Sequence, residues 1–430
     1  MINNIIAKKR RNRFIGSILL IQFVVSWIYA GYVPRFFHRR FYIFEIALFT
    51  IYLVYNYKSF FKLTLQNAAA KKFVQVIVVF FAVAFIYLML SYFDLTRYWH
   101  LRTLSYEREY IYRHFMVVAE FLLPLGFGYA IHRSELLFKF KNYHILLASI
   151  AIYSLLFLTT SNYFNLHILY SSLAVALISL YAVRSKYFGF VIVAIYMVTS
   201  SHGAYNMAAI LVIALYFGKK YVVSLLVKHT ITTSVVLLCI ALLLINIFWD
   251  SIWEKILNDS NALWRYQVWT NELETLADTM FTGVGFGSAY VTNDIYLIVN
   301  NSNMYVDSDG GGNIYDMLFK VANHNSFLNM FYRMGVLGGL IFIYMNLVLI
   351  AWAINCYQKS SAAMKKYIWW GFLNFMYNSV IILFNPGLEM VQFAINYVFS
   401  LSLLLGVLLT CSNPENNING RIQIPNFERK

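Results

Sequence analysis

Residues 322–346 read ANHNSFLNMFYRMGVLGGLIFIYMN, and most of this stretch has the composition of a membrane-spanning helix. Three features set it apart from a helix that is simply embedded in lipid. His324 lies between two asparagines at the start, Arg333 follows nine residues later, and three glycines then occupy five positions. A permanent charge inside a span is costly, so it usually has a functional or pairing role. The stretch therefore predicts a membrane helix that begins at a polar site.

The composition of the whole chain predicts the same class of protein. Hydrophobic residues make up 60% of the 430 residues, charged residues make up only 12%, and the mean hydropathy is +0.61. A soluble domain carries about 25% charged residues, so the apolar excess needs lipid as its solvent. The sequence therefore predicts an all-α polytopic membrane protein. The net charge of +15 does not indicate a nucleic-acid partner, because the chain has no soluble module rich in Lys and Arg.

Apolar runs divide the chain into about twelve candidate spans, most of them near the roughly 20 residues that a bilayer requires. They lie at 14–33, 41–57, 73–93, 114–131, 143–160, 165–183, 187–200, 204–218, 229–249, 326–354, 366–384 and 388–410. The runs at 187–200 and 204–218 are short and are separated by the sequence TSSHGA, which is typical of spans shielded by protein. We expect a single transmembrane domain over residues 1–411 and a disordered cytoplasmic tail over residues 412–430.

The distribution of Lys and Arg predicts the orientation. With the amino terminus inside, the cytoplasmic segments hold 23 of the 34 Lys and Arg residues, and the external segments hold 10. This asymmetry follows the positive-inside rule, so both termini are expected in the cytoplasm. One large external loop, residues 250–325, then contains ten carboxylates and three basic residues. Connections of this length usually carry function.

A predicted helix within this loop carries the first candidate site residue. The sequence NALWRYQVWTNELETLADTMF (261–281) has the periodicity of an amphipathic helix. Its apolar residues are spaced by four, three and four positions: Trp269, Leu273, Leu276 and Met280. Arg265 lies at the edge of that stripe. Its guanidinium is either directed inward at an anionic substrate such as a phosphate, or paired with a nearby carboxylate or a lipid headgroup.

His324 is a candidate general base. At the external amino end of a helix, the helix dipole disfavours an imidazolium ion, and a neutral imidazole beside a sugar hydroxyl suits proton abstraction. The alternative is an interfacial histidine that is hydrogen-bonded to a loop carbonyl. Gly335 lies three turns further along the same face, where a glycine lets neighbouring helices approach. Asn325, next to His324, is expected to contribute to substrate binding.

Several arginines and one histidine are candidate substrate-binding residues. Arg333 lies within a span, where pairing with Glu120 or Glu45 is favoured over a substrate contact. Three arginines in the external segment 94–113 are expected to gather an anionic headgroup or to pair with nearby acids: Arg102, Arg108 and Arg113. His202 lies at the external junction of two short spans and is the last candidate.

Two further motifs resemble ligand-binding loops but lack the required context. GVGFGS (283–288) has the glycine spacing of a phosphate-binding loop without the strand before it and the helix after it, so we expect a turn after the amphipathic helix. DSDGGGNIYD (307–316) begins like a calcium loop, but Gly311 and Leu318 replace two of the ligands. The three cysteines have neither metal-binding nor pairing spacing. No metal or cofactor is expected.

The order of these motifs resembles the bacterial O-antigen ligase/polymerase family, which comprises Wzy-type polysaccharide polymerases and lipid A-core ligases. The matching motifs are TSSHGA, ALWRYQVW, FTGVGFGSAY and HNSFLNMFYRMGVLGG, all within residues 187–350. His324 and Gly335 also have the His-x10-Gly spacing described for such polymerases. The resemblance implies a GT-C-like membrane fold in the bacterial inner membrane, with the active site on the periplasmic side.

The resemblance also implies roles for individual residues. Arg265 corresponds to the family's loop arginine, which engages an undecaprenyl pyrophosphate donor, and His324 corresponds to the histidine that activates the acceptor hydroxyl. His202 stands where the family usually has an arginine, so a protonated His202, Arg333 or an arginine of segment 94–113 is expected to fill that role. The implied reaction inverts the anomeric centre without a metal. The implied partners are a lipid-linked oligosaccharide, membrane lipid and a chain-length regulator protein.

Three functions are compatible with the sequence. A polymerase that joins lipid-linked repeat units is favoured by the His-x10-Gly spacing and the acidic loop. A ligase that transfers the glycan to lipid A-core differs only in its acceptor. A flippase or transporter is supported by Glu45, Glu120 and Arg333 inside spans, but such proteins seldom need a large loop with an aromatic amphipathic helix.

Overall fold

The computed structural model describes residues 6–7, 9–18, 21, 38–96, 104–134, 203–224, 243, 249–292, 319, 325–384, 388–389 and 391–412. The regular secondary structure of these residues is helical, and their β-type pairing is a single bridge between Tyr106 and Ser288. Five predicted spans lie wholly or largely outside the described residues: 14–33, 143–160, 165–183, 187–200 and 229–249.

The helices are numbered here in chain order. They are α1 His38–Tyr55, α2 Tyr57–Leu65, α3 Ala68–Tyr92, α4 Glu109–Ala119, α5 Leu122–Ser134, α6 Gly203–Phe217, α7 Trp249–Asn258, α8 Ser260–Asp278, α9 Ser326–Lys359, α10 Ala362–Phe384 and α11 Val391–Cys411.

Among the described residues, four stretches of helix are long and apolar enough to cross a membrane: Ala68–Tyr92, Glu109–Ser134 (α4 and α5 together), Ser326–Lys359 and Ala362–Phe384. Shorter apolar helices occur within α1, α6 and α11. These seven coincide with the seven predicted spans that fall on described residues. The all-α membrane class is therefore confirmed for the described part of the chain, while the number of about twelve spans and the GT-C-like fold stay predictions.

Asparagine side chains define where two of the long helices begin. The Asn67 side-chain oxygen accepts hydrogen bonds from the amides of Ala69 and Ala70, both at 3.0 Å, at the start of α3. The Asn325 side-chain oxygen accepts one from the Leu328 amide, also at 3.0 Å, at the start of α9. Each cap satisfies amides that have no partner within the helix itself. The amino end of α9 is thus fixed at the residue that follows His324 in the sequence.

Small residues allow close packing between the spans. α5 packs against α1 and α11, and α9 packs against α3 and α10. A methyl group on Gly126 would lie 2.6 Å from the Phe49 carbonyl oxygen, and one on Gly406 would lie 2.6 Å from the Ile131 side chain. Such contacts are typical of membrane bundles, where close van der Waals packing drives helix association.

Candidate functional site

The centre of the candidate site is a break in α9. Met334 (φ −117°, ψ 16°) and Gly335 (φ 64°, ψ −171°) depart from helical geometry within the span. The loop segment Phe281–Thr292, called here the glycine-rich segment, follows α8 and is inserted at this break. The sequence predicted a turn at this position. The segment is irregular, but it packs inside the bundle rather than at its surface.

The backbone of the glycine-rich segment replaces the hydrogen bonds that the break removes from α9. Three bonds of 2.8–3.0 Å do this: Val284 N to Tyr332 O, Gly285 N to Arg333 O and Val336 N to Phe281 O. Polar backbone groups inside a membrane bundle must find such partners because no bulk water reaches them. The loop and the span therefore form one hydrogen-bonded unit.

Gly335 and Gly283 bring these two backbones into direct contact. A Cβ atom on Gly283 (φ 82°) would overlap the Gly335 amide nitrogen, and one on Gly335 would lie 2.6 Å from the Thr282 carbonyl carbon. Both φ values are positive, where side chains are strained. The sequence predicted that Gly335 admits a neighbouring helix. This is wrong, because the backbone that it admits belongs to the loop.

Arg333 holds the glycine-rich segment from the span side. Its side chain is 2% exposed, and its Nη1 donates to the carbonyl oxygens of Ser288 (2.5 Å) and Gly285 (3.3 Å). The guanidinium carbon lies 4.2 Å from the centre of the Tyr290 ring and 5.4 Å from that of Tyr332. Burial raises the pKa of the Tyr290 phenol. Arg333 therefore sits in a pocket of carbonyls and rings that favours a cation.

The predicted pairing of Arg333 with Glu120 or Glu45 is wrong for the described residues. Its hydrogen bonds go to backbone carbonyls instead, because the inserted segment supplies acceptors that are not evident from the sequence. The Nε and Nη2 atoms of Arg333 have no hydrogen-bond partner among the described residues.

His114 of α4 connects the same segment to the residues before α9. Its Nδ1 accepts a hydrogen bond from the Gly287 amide (3.1 Å), and its Nε2 lies 2.9 Å from the Phe319 carbonyl oxygen. Because one nitrogen accepts and the other faces an acceptor, the proton belongs on Nε2 of a neutral imidazole. The Ser91 hydroxyl of α3 accepts from the Phe286 amide at 2.8 Å. Three spans therefore hold the segment.

α8 directs a largely polar face towards the bundle. The buried residues of that face are Val268, Asn271, Glu272, Thr275, Leu276 and Thr279. Arg265 lies three residues before Val268 and seven before Glu272, so helical periodicity places it on the same face, and its side chain is partly buried. Asn271 also exchanges two hydrogen bonds of 3.2 Å with Thr292, which ties α8 to the end of the glycine-rich segment.

The predicted helix is present as α8, and its buried face is of mixed polarity. Within the predicted apolar stripe, Leu276 is 3% exposed, but Leu273 is 53% exposed and Met280 is 82% exposed, whereas Glu272 is fully buried. The physical reason is that α8 packs against α9, and its Asn271 is hydrogen-bonded to the end of the glycine-rich segment. The apolar stripe therefore does not form a single buried face.

Glu389 adds a partly buried carboxylate to the amino end of α9. Its Oε2 accepts from the Ser326 hydroxyl (2.7 Å) and the Leu388 amide (3.1 Å), and its Oε1 accepts from Asn329 Nδ2 (2.6 Å). Burial raises the pKa of this carboxyl, and these hydrogen bonds oppose the rise. Glu120 of the α4–α5 span lies close enough for the charge of Glu389 to act on it.

The predicted site residues are distributed unevenly over the described chain. His324, His202 and Arg102 lie outside the described residues. Asn325 is the cap of α9. Arg113 and Arg333 belong to one cluster, because both act electrostatically on Tyr290 and His114.

Arg108 lies at the edge of this cluster rather than within it. Its side chain is exposed, and its guanidinium lies 5.8 Å from the centre of the Tyr92 ring. Arg265 lies on the face of α8 that also carries Val268 and Glu272, and its side chain is partly buried.

Sequence reasoning missed three polar residues, of which Glu272 and His114 are buried and Glu389 is partly buried. The apolar neighbours of Glu389 obscure it, because residues 388–410 form one predicted span. A carboxylate in such a run (NPGLEMVQF) was the available signal, since an ionisable group at membrane depth needs partners. No feature of the sequence indicated that Glu272 is buried, because its place in an acidic helix suggested solvent exposure.

Comparison with known families identifies one segment of the chain. Residues 187–343 match a family model described as O-antigen ligase. This range contains TSSHGA, α8, the glycine-rich segment and the first half of α9, and it agrees with the resemblance inferred from the sequence, which is confirmed there. The match supports a ligase or polymerase kind of glycosyltransferase and does not separate the two. No curated protein matches the chain.

Proposed function

We propose that this chain, which carries the O-antigen ligase family segment over residues 187–343, is a glycosyltransferase that polymerises lipid-linked glycan repeat units. The donor is an oligosaccharide on undecaprenyl pyrophosphate, and the acceptor is a hydroxyl of a second lipid-linked unit. The proposed location is the bacterial inner membrane, with the active site on the periplasmic side and both termini in the cytoplasm. A chain-length regulator is a proposed protein partner.

One observation carries this proposal, namely the insertion of the glycine-rich segment into α9. Through it, α8 with Arg265 on its inner face packs against the helix that begins two residues after His324. Arg265 and the start of α9 are far apart in the sequence, and the inserted segment attaches them to one hydrogen-bonded unit. Arg265 and His324 both belong to the segment that matches the family model.

The proposed reaction is a displacement at the anomeric carbon of the donor sugar. The acceptor oxygen forms the new glycosidic bond, its proton passes to the neutral imidazole of His324, and the bond from the anomeric carbon to the pyrophosphate oxygen breaks. The electron pair leaves with the pyrophosphate. Cations that face this developing charge stabilise the transition state more than the ground state, which is the role proposed for Arg265.

The other cations and polar groups are proposed to hold the substrates. Arg333 has two donors without a protein partner among the described residues, and Arg113 belongs to the same cluster. Four further residues are proposed to complete the binding surface: His202, Arg102, Arg108 and Asn325.

Ligation to lipid A-core is the second candidate, because the matching family is described as O-antigen ligase and the match does not separate ligation from polymerisation. The two reactions share the donor and the cations and differ in the acceptor. The purified protein in liposomes, supplied with a lipid-linked repeat unit, tests this directly. A polymerase lengthens the glycan on its carrier, whereas a ligase forms product only when lipid A-core is added.

Variants test the roles of the two central residues. His324→Ala is expected to lower the rate by about 10²–10⁴-fold, as for loss of a general base, and Arg265→Ala by about 10²–10³-fold. Lys366→Ala, which removes an exposed cation near the start of α10, serves as the control and should retain full activity. In cells, His324→Ala should leave lipid-linked units on the periplasmic face. Their accumulation on the cytoplasmic face would instead indicate a flippase.

A further inference from the structure

Lysines and aromatic rings form a cluster at the carboxyl end of α9, away from the candidate site. Lys219 follows the end of α6 by two residues, and its ammonium nitrogen lies 4.8 Å from the centre of the Tyr357 ring and 5.4 Å from that of Trp369. The nitrogen of Lys365, in the first turn of α10, lies 5.6 Å from the centre of the Tyr357 ring. Tyr357 itself belongs to the last turn of α9. These four residues are called here the lysine–aromatic cluster.

Two like charges are held close together in this cluster. Because both nitrogens lie beside one ring, they are separated by no more than about 10 Å, which is the screening length at 0.1 M salt. Their repulsion is therefore only partly screened, and attraction to the aromatic faces offsets some of it. Lys219 and Lys365 are half-buried, whereas their neighbours Lys220 and Lys366 are exposed. An anion bound near both nitrogens would be attracted by each of them.

The sequence around the cluster supplies no acid to neutralise these cations. Segments 219–228 and 355–366 contain six lysines and neither aspartate nor glutamate. The indole Nε1 of Trp369 is buried and has no hydrogen-bond partner among the described residues, although a buried indole N–H usually finds one. The cluster thus combines two positive charges with a further donor, which suits a ligand rich in acceptor oxygens, such as a phosphate.

We propose that the lysine–aromatic cluster binds the phosphate of an anionic phospholipid headgroup. The predicted orientation places this end of α9 on the cytoplasmic side, where the leaflet carries anionic lipids and basic pockets between spans bind their headgroups. Phe217 and Tyr221, on either side of Lys219 in the sequence, are exposed and offer apolar contacts to acyl chains. Since α6 packs against α10, a headgroup held by Lys219 and Lys365 stabilises this contact. The inference does not depend on the proposed glycosyl transfer.

Thermal unfolding of the full-length protein in detergent, with added lipid, tests this proposal. A ligand that binds only the folded state raises the unfolding midpoint as its concentration increases. Phosphatidylglycerol should therefore raise the midpoint, whereas phosphatidylcholine, whose phosphate is neutralised by its own choline, should have little effect. Lys219→Gln and Lys365→Gln should each weaken the apparent affinity for phosphatidylglycerol about fivefold, the effect of removing one lysine from a contact with an anionic membrane.

The neighbouring lysines provide matched controls. Lys220→Gln and Lys366→Gln remove the same charge from adjacent, exposed positions, so both should keep the wild-type affinity for phosphatidylglycerol. The midpoint of each variant without added lipid shows whether it folds. If one cluster variant does not fold, the other decides the matter together with its own neighbour, because Lys219 and Lys365 belong to different elements. Lys219→Arg keeps the charge and should retain most of the binding.

Three results would overturn the proposal. Equal losses of affinity in all four glutamine variants would indicate diffuse attraction to the membrane surface rather than a site. Unchanged affinity in both Lys219→Gln and Lys365→Gln would show that the cluster does not bind the headgroup. An equal rise of the midpoint with inorganic phosphate alone would assign the cluster to a soluble anion. The glycosyl-transfer proposal stands or falls separately, because product formation in liposomes tests it.

Discussion

Gly335 shows how a single residue sets the geometry of the candidate site. Its φ of 64° ends the first part of α9, and the missing side chain admits the backbone of the glycine-rich segment. The sequence indicated that a glycine was needed near this depth. It could not indicate which element would approach, because helix packing and loop insertion require the same small residue.

Gly335→Ala should destabilise the protein by about 1–3 kcal/mol, the range for a side chain forced into a strained backbone conformation. The added methyl would also press against the Thr282 carbonyl. Gly371→Ala is the control: Gly371 lies within α10, and its methyl would meet Leu404 at 3.2 Å without a positive φ. Thermal unfolding of the purified proteins measures both. Equal losses would contradict the special role of the break.

Arg333→Met should lower stability, because it removes two hydrogen bonds and leaves the carbonyls of Gly285 and Ser288 without their donor. Hydrogen bonds to charged groups contribute about 1.5–3 kcal/mol each. Arg333→Lys is expected to recover only part of the loss, since an ammonium lacks the planar fork. Unfolding midpoints and donor affinity should be measured together. An unchanged midpoint with weakened donor binding would show that Arg333 serves the substrate alone.

At the scale of the element, α8 was predicted at the correct place in the chain, but its periodicity did not indicate which face is buried. Periodicity finds an apolar stripe, and in a soluble protein that stripe is the buried one. In α8, Glu272 and Thr275 are buried while Leu273 is exposed. A single sequence does not reveal this arrangement, because it depends on what the helix packs against.

A matched pair of substitutions tests the orientation of α8. Leu276→Ala should lower the free energy of unfolding by about 2–5 kcal/mol, as for other buried leucines. Leu273→Ala should change it by no more than about 0.5 kcal/mol, as at most surface positions. Denaturation in one detergent compares the two directly. A larger effect at Leu273 would contradict this orientation.

The spans were more predictable than the site. Seven apolar runs coincide with helices because a bilayer imposes a length and a composition that one sequence displays directly. The hydrogen bonds of Glu389 and His114 join elements that are distant in the chain. The periodicity of a single element does not indicate such contacts, so only the three-dimensional structure shows them.

At the scale of the whole molecule, the predicted orientation assigns opposite sides of the membrane to the two ends of α9. Glu109, the first residue of the α4–α5 span, should then be external, and Ser361, between α9 and α10, should be cytoplasmic. Both side chains are exposed. The two native cysteines that the structure describes are buried or partly buried.

Single cysteines at these positions test the orientation. Glu109→Cys in intact cells should react with a membrane-impermeant maleimide, whereas Ser361→Cys should react only after the membrane is opened. The parent protein gives the background labelling. The reverse pattern would invert the molecule and move the proposed site to the cytoplasm.

The break in α9 has a consequence for biogenesis. The glycine-rich segment is synthesised before α9, yet the carbonyls of Tyr332 and Arg333 and the amide of Val336 bond to that segment. These bonds cannot form until α9 has been synthesised. We therefore expect folding to include a late docking event, in which an earlier part of the chain completes a helix that follows it.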